Sequence, residues 1–416
     1  MAKPNLALIP AAQGTKLYSV LPSDGSGDFD YTRGSSATRI NAQGLIESVP
    51  NTSSRLNYPL LDGKVVGCPH HLLEPQRTNL IKYSEDFSNS NGWAQGSVTL
   101  TANQTISPSG NNDAYLMLDN AVSGEHYILS SAATTIGAGT FTYSVFAKYN
   151  GSQWFAIYSN VSGIAYFDIQ NGIIGTTTGG TSTIEPYLNG WYKCTLTAAQ
   201  SGNSRMLIAG ASSNGVLSYA PSGTTGRYIY GAQVESGSFP TSYIKSSGSA
   251  TTRIAETATG SGSAATFNDS EGVFMAEISA LANDGTYRQF GITGSFSNEV
   301  NLSLDNVSNR ISGVVRSSGT YYVITHLFSD TTTFFKLALK YKLNDVKLFV
   351  NGFEVGSKIS ANMPIGLNEL NFAVGTFNEN PFYGKTKQIQ YFDSADIDLE
   401  ELTSWDSFSD MANGQL

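Results

Sequence analysis

The stretch Tyr228–Arg253, YIYGAQVESGSFPTSYIKSSGSATTR, limits what this chain can fold into. Tyr228, Tyr230 and Ala232 alternate with Ile229 and Gly231, the two-residue period of a strand. Ser236-Gly-Ser-Phe-Pro240 cannot continue that strand, because Pro240 has no N–H to donate and Gly237 is conformationally loose. From Lys245 to Gly262 the residues are nearly all Ser, Gly, Ala and Thr, the composition of a linker. Long regions of short alternating segments lie on both sides. The stretch therefore reads as the last strand of one β-sandwich and the bridge into a second.

The flanking sequence supports this reading. Between Asn79 and Ile244, Phe141, Tyr143, Val145 and Ala147 alternate with Thr142, Ser144, Phe146 and Lys148. Trp154–Tyr158 and Ile164–Ile169 follow, then the turn pair Asn171-Gly172, and Asn189-Gly190 launches a strand from Trp191. Short strands with turn signals about every ten residues predict an antiparallel sandwich, and no amphipathic helix separates them as a parallel α/β fold requires. After Ile254 the pattern resumes. In the hairpin Phe335–Tyr341, Val346–Val350, Leu337, Leu339 and Tyr341 face one way while Lys336, Lys340 and Lys342 face the other. Ser394–Leu402 predicts a short helix with carboxylates in its first turns.

The expected organisation is all-β: two antiparallel sandwiches, residues 81–246 and 247–416, preceded by an irregular arm over residues 1–80. The arm's apolar runs are too short for a core of their own, so it is expected to pack on the sandwiches or on another subunit. Gly34-Ser-Ser-Ala-Thr-Arg39-Ile40 is echoed by Gly248-Ser-Ala-Thr-Thr-Arg253-Ile254; either chance in a Ser/Thr-rich chain or equivalent edge roles would account for it, and the second reading makes the bridge a rigid segment laid against the sandwiches instead of a flexible tether.

Composition narrows function. The net charge of −9 comes from scattered carboxylates and lacks the clustered Lys and Arg that nucleic-acid binding needs. Cys68 and Cys194 fall in different predicted domains and form no disulfide framework or zinc motif. The opening segment, broken by Pro4 and Pro10, has no adequate leader-type apolar run, and synthesis in a cytoplasm without membrane insertion is expected. The histidines (His70, His71, His126, His326) lack a metal spacing. No cofactor is expected. Structural calcium is the one ion considered, at Asp24-Gly-Ser-Gly-Asp28 and Asn111-Asn-Asp113, although oxygen-rich runs of this kind usually serve as turns.

Several motifs together resemble a family of tailed-bacteriophage virion proteins (tail, fibre or head-appendage components). They are Tyr31–Arg39 (YTRGSSATR), Leu73–Leu80 (LEPQRTNL), Tyr83–Phe87 (YSEDF), Asn189–Tyr192 (NGWY) and Gly231–Tyr243 (GAQVESGSFPTSY). In that family the middle domain looks like a carbohydrate-binding-module jelly roll. The part after Ala250 is similar to concanavalin-A-like or laminin-G-like lectin sandwiches, through the Leu337–Val355 hairpin and the Tyr383…Ile389–Asp393 segment. The resemblance implies a non-enzymatic particle component, present in the virion among other virion proteins, that touches host surface glycans; a homo-oligomer, by fibre analogy a trimer, is expected. It carries no catalytic residue set. A decoration or assembly protein with no ligand, and a polysaccharide depolymerase, are the alternatives.

Glycosidic cleavage needs two carboxylates facing each other across a cleft. Glu185, Glu235, Glu277 and Asp305 do not form such a pattern and read as surface or turn carboxylates. A glycan-binding surface needs aromatic faces with polar partners. If Phe155, Ile157, Ala165, Phe167 and Ile169 are core, then Trp154, Tyr158, Tyr166 and Asp168 share the opposite face as a glycan platform, unless the arm or a partner subunit covers it. Trp93 and Trp191, each beside a glycine at a segment start, read as structural plugs.

Overall fold

The computed structural model describes residues 3–131, 136–295, 297–373 and 380–405. They form antiparallel sheets with one short α-helix among the described residues, Leu399–Thr403, capped where the Asp398 side chain accepts from the Glu401 N–H. This helix is shorter than the predicted Ser394–Leu402.

The first sandwich packs two six-stranded sheets face to face. One runs in the order Val98–Thr105, Ala114–Asp119, Gly226–Ser236, Gly139–Asn150, Trp191–Gln200, Gly180–Tyr187. The other runs Trp93–Gly96, Tyr127–Ser130, Met206–Ala211, Trp154–Ser159, Ile164–Asp168, Ile173–Thr178. Alternation determines the core: Tyr143, Val145, Phe155, Ile157, Phe167, Ile208 and Val234 are buried between the sheets. The plugs are in place. The Trp93 Nε1–H donates to the Tyr83 carbonyl at 2.9 Å and the Trp191 Nε1–H to the Ile106 carbonyl at 3.0 Å, both rings buried.

The second sandwich is assembled from distant parts of the chain. Its five-stranded sheet is Thr320–Leu327, Arg310–Ser317, Asn298–Leu304, Arg288–Ser295, Glu369–Asn371. In the larger sheet, Gly384–Phe392 pairs on one side with Glu271–Ala280, which continues to the Phe335–Lys342 and Val346–Val350 hairpin. On its other side it pairs with Leu6–Gln13 (Leu6 opposite Tyr391) and with His70–Leu73 (Leu73 opposite Gly384). Lys16–Leu21, Phe29–Thr32 and Thr257–Thr259 extend the sheet beyond Leu6–Gln13. Much of the predicted arm is thus structural sheet, with Leu6, Leu8, Leu17 and Phe29 in the second core. Short apolar runs with no core of their own acquire one from distant partners, Leu6 lying opposite Tyr391, Leu73 opposite Gly384 and Tyr31 opposite Ala258.

One further expectation changes, and the bridge takes the rigid of its two readings. Lys336 does not face water: the C-terminal helix lies over that side of the sheet, Leu399 and Leu402 pack with Val273, Met275 and Ala338, and the Lys336 ammonium sits 4.8 Å from the Trp405 ring. The Ser/Gly/Ala/Thr segment after Lys245 is a set of paired strands. Thr251–Arg253 pairs with Arg77–Asn79, and Thr257–Thr259 with Phe29–Thr32. Small residues suit both a free linker and a strand laid tightly between two sheets, so composition alone does not separate them.

Candidate functional site

The predicted platform residues occupy one face, the outer side of the sheet containing Trp154–Ser159 and Ile164–Asp168. Trp154 lies opposite Asp168 and Ala156 opposite Tyr166, while Ala156 and Ala209 are themselves cross-strand partners. Ala209 in turn faces Tyr127, and Tyr158 faces Leu207. The result is a pair of fully buried alanines beneath the surrounding aromatic rings. Two rings lie against glycines of flanking strands: a Cβ on Gly175 would sit 2.6 Å from Trp154, and one on Gly96 2.5 Å from Tyr127. The side-chain amide of Asn214 bonds to the Thr176 N–H (2.7 Å) and hydroxyl (3.0 Å), holding the Ser212–Leu217 turn beside Trp154.

The four residues are not equally available. Trp154 and Tyr158 are half-buried, whereas Tyr166 and Asp168 are buried. Asp168 is occupied by its own turn, accepting from the side chains of Gln153 (2.7 Å) and Asn171 (2.8 Å) and the N–H groups of Gln170 and Asn171. Burial would raise its pKa, but these hydrogen bonds outweigh burial and hold the carboxyl below its ordinary range. The exposed carboxylate on this face is Glu125, 3.4 Å from the Tyr158 hydroxyl. Burial first, and then the Glu125 charge, raise the Tyr158 pKa, so the phenol stays protonated as a donor. Glu125 carried no sequence signal, because its two-residue strand is defined only by pairing with Ser218–Tyr219.

Three of the motifs behind the family resemblance, Tyr31–Arg39, Leu73–Leu80 and Gly231–Tyr243, converge elsewhere, on a buried charge cluster where the arm, both sandwiches and the bridge meet. Glu256 accepts from Tyr31, from Arg33 (2.7 Å), from two nitrogens of Arg55 (Nε at 2.7 Å) and from the Glu74 N–H (2.8 Å). Glu74 accepts from the Ser242 N–H (2.8 Å) and hydroxyl (2.6 Å) and pairs with Arg55 (2.9 Å) and Arg253 (3.0 Å). Glu235 is held by Gln233 and by the Thr241 N–H and hydroxyl. All of these charged groups are buried. Burial pushes Glu256 and Glu74 upward, but the guanidiniums beside them (Arg55 foremost for Glu256, Arg253 and Arg55 for Glu74) bring both below the ordinary carboxylate range. The Thr-Arg-Ile echo has no common role: Arg253 sits in this cluster, whereas Arg39 is partly exposed and pairs with Glu47 at 2.9 Å.

The carboxylates weighed for hydrolysis are dispersed, and two are not on the surface. Glu235 and Glu277 are buried, the latter 2.9 Å from the Gln388 amide and 3.3 Å from Lys387. The expectation of exposure failed because a strand's alternation does not reveal whether its outer face is covered. Asp305 bonds to Arg310 and Ser312, and Glu185 is exposed. Asp24 and Asp28 are engaged by Ser26 and Ser19, and Asp113 receives a long contact from the Ser109 hydroxyl, as in turns. Among the described residues no cluster of three or more His, Cys, Asp or Glu is arranged to hold a metal.

No protein-family model matches the chain, and no curated protein matches it in sequence. Solved structures similar to it include the CBM40 module of a Ruminococcus gnavus IT-sialidase bound to α2,3-sialyllactose, 15% identical over 33% of this chain and 84% of that one, with a TM-score of 0.29. The receptor-binding domain of botulinum neurotoxin mosaic serotype C/D is 14% identical over 35% of this chain and 39% of that one, at a TM-score of 0.27. Domains LG4-5 of the mouse laminin α1 chain are 10% identical over 66% of this chain and 88% of that one, at 0.23. At these scores the likeness carries no functional argument.

Proposed function

We propose that this chain is a non-enzymatic structural component of a tailed-phage particle that contacts host-surface glycans through the outer face of its first sandwich. The observation that carries the glycan reading is the set of half-buried rings Trp154, Tyr158 and Tyr127 around the fully buried Ala156 and Ala209, with the Glu125 carboxylate at the edge. Aromatic faces suit the C–H surfaces of a sugar ring, and a carboxylate suits its hydroxyls. The virion assignment rests on the motif resemblance.

The test is a glycan array and a host-cell binding assay with Trp154→Ala and Glu125→Gln. Loss of binding in Trp154→Ala supports the reading; unchanged binding in both variants sinks it. Release of reducing sugar from host polysaccharide would refute the non-enzymatic part, and absence of the chain from purified particles the virion part.

A second reading, a decoration subunit without a ligand, is favoured by Leu327, Phe353 and Ile359, large apolar side chains exposed at 65%, 72% and 85% on the second sandwich. A neighbouring subunit would cover them. The trimer expectation is checked by light scattering of the purified chain.

A further inference from the structure

The outer face of the first sandwich's other sheet is partly covered, with Lys193 and Thr195 buried and Thr181, Thr183 and Glu185 exposed towards the edge strand. Thr181 and Thr183 pair across strands with Thr197 and Thr195, and Glu185 with Lys193, making a floor of hydroxyls. The Ser238–Tyr243 turn, the arm, and Leu281, Thr332 and Lys385 of the second sandwich wall it in, leaving a cleft of about 490 Å³. Neither sandwich contains this cleft alone. Its size falls within the range of small-molecule sites.

Two features of the lining are unfinished. Thr195 Oγ1 is buried with no hydrogen-bond partner. Lys385 is half-buried, its ammonium has neither a hydrogen bond nor an ion pair within the described residues, and burial lowers its pKa against the weaker pull of Glu185 and Glu74. The nearby carboxylates do not complete it, since Glu74 is already held by Arg55 and Arg253, and Glu185 lies at the exposed edge strand. The second lysine, Lys193, is buried and donates to the Thr241 carbonyl at 2.9 Å. A half-buried ammonium without a direct partner bears part of its desolvation cost, and an entering anion offsets it. A hydroxyl-lined floor suits a ligand that brings hydroxyls of its own.

We propose that this cleft binds an acidic monosaccharide unit, its carboxylate on Lys385 and its ring hydroxyls on the threonine floor. The proposal is independent of the aromatic face.

The experiment is calorimetric titration of the full chain with D-glucuronate, D-glucose and acetate, repeated on Lys385→Met, Thr195→Val and Trp154→Ala. The expected result is saturable glucuronate binding at millimolar or lower concentration, with neither glucose nor acetate bound comparably. Lys385→Met should weaken it by at least about tenfold, roughly 1.4 kcal/mol. Thr195→Val, which preserves shape, should weaken it less, and Trp154→Ala should leave it unchanged. No saturable glucuronate binding, equal binding of acetate or glucose, or unaltered binding in both cleft variants overturns the proposal. Loss in Trp154→Ala alone assigns the glucuronate to the aromatic face and also overturns it.

Discussion

The two sheets of the first sandwich share one core but present opposite chemistry outward. One shows aromatic rings over alanines and is open on the Trp154 side. The other shows rows of threonine and serine, with the arm, the bridge and the second sandwich packed around it. The open side is held by side-chain packing and local turns. The covered side is anchored by the charge cluster of Arg33, Arg55, Glu74, Arg253 and Glu256. Apolar alternation builds each sandwich, and buried ion pairs fix how the sandwiches meet. Because a guanidinium–carboxylate pair tolerates few geometries, it specifies an orientation that an apolar contact would leave looser.

The largest effect expected on the covered side is from Glu256→Ala. It leaves Arg33 and Arg55 without their shared carboxylate and should cost about 3–5 kcal/mol. Urea unfolding followed by both fluorescence and proteolysis near Ser246–Gly262 would read this. A loss under about 1 kcal/mol would place the junction's stability elsewhere.

Acid should act on the same side. Glu74 and Glu256 have folded-state pKa values below their unfolded values. Their contribution is therefore present above the unfolded carboxylate range, about 4.3, and is lost as pH falls through the depressed folded values. Thermal melts between neutrality and pH 2 should show Tm falling in acid for the parent chain, with a shallower fall in Glu256→Gln. Parallel curves would remove Glu256 from the acid response.

On the open side the effects are local. Gly175→Ala sets a methyl against the Trp154 ring and Asn214, and should shift the tryptophan emission while costing about 1–3 kcal/mol of overpacking. An unchanged spectrum would show that the ring is not fixed by this contact. The smallest effect is reserved for the echo. Arg39→Ala breaks a partly exposed pair and should change stability by less than about 1 kcal/mol, whereas Arg253→Ala should act on the scale of Glu256→Ala. Equal losses for the two arginines would restore the idea of equivalent roles.

The residue pattern disclosed what is local. Phe155, Ile157, Ala165, Phe167 and Ile169 are core, and the Leu337–Tyr341 hairpin faces as its alternation requires, because a strand's period is a property of its own backbone. It did not disclose what depends on distant partners. Glu235 looks like a surface charge until Thr241 is brought beside it, and Asp168 looks like a ligand until the Asn171 turn claims it. The aromatic face was legible as a face; how far it is covered, and the cleft behind it, were not.

The pairing of Leu6–Leu8 with Ile389–Tyr391 has a consequence for the order of synthesis. Every strand of the first sandwich, through Gly226–Ser236, has left the ribosome while the final strand of the second is still untranslated. Leu6–Gln13 can pair early along one edge with the adjacent Lys16–Leu21, but its other edge must wait for Gly384–Phe392. The first sandwich has no such requirement, so refolding of the second sandwich, which needs this long-range step, is expected to be the slower of the two.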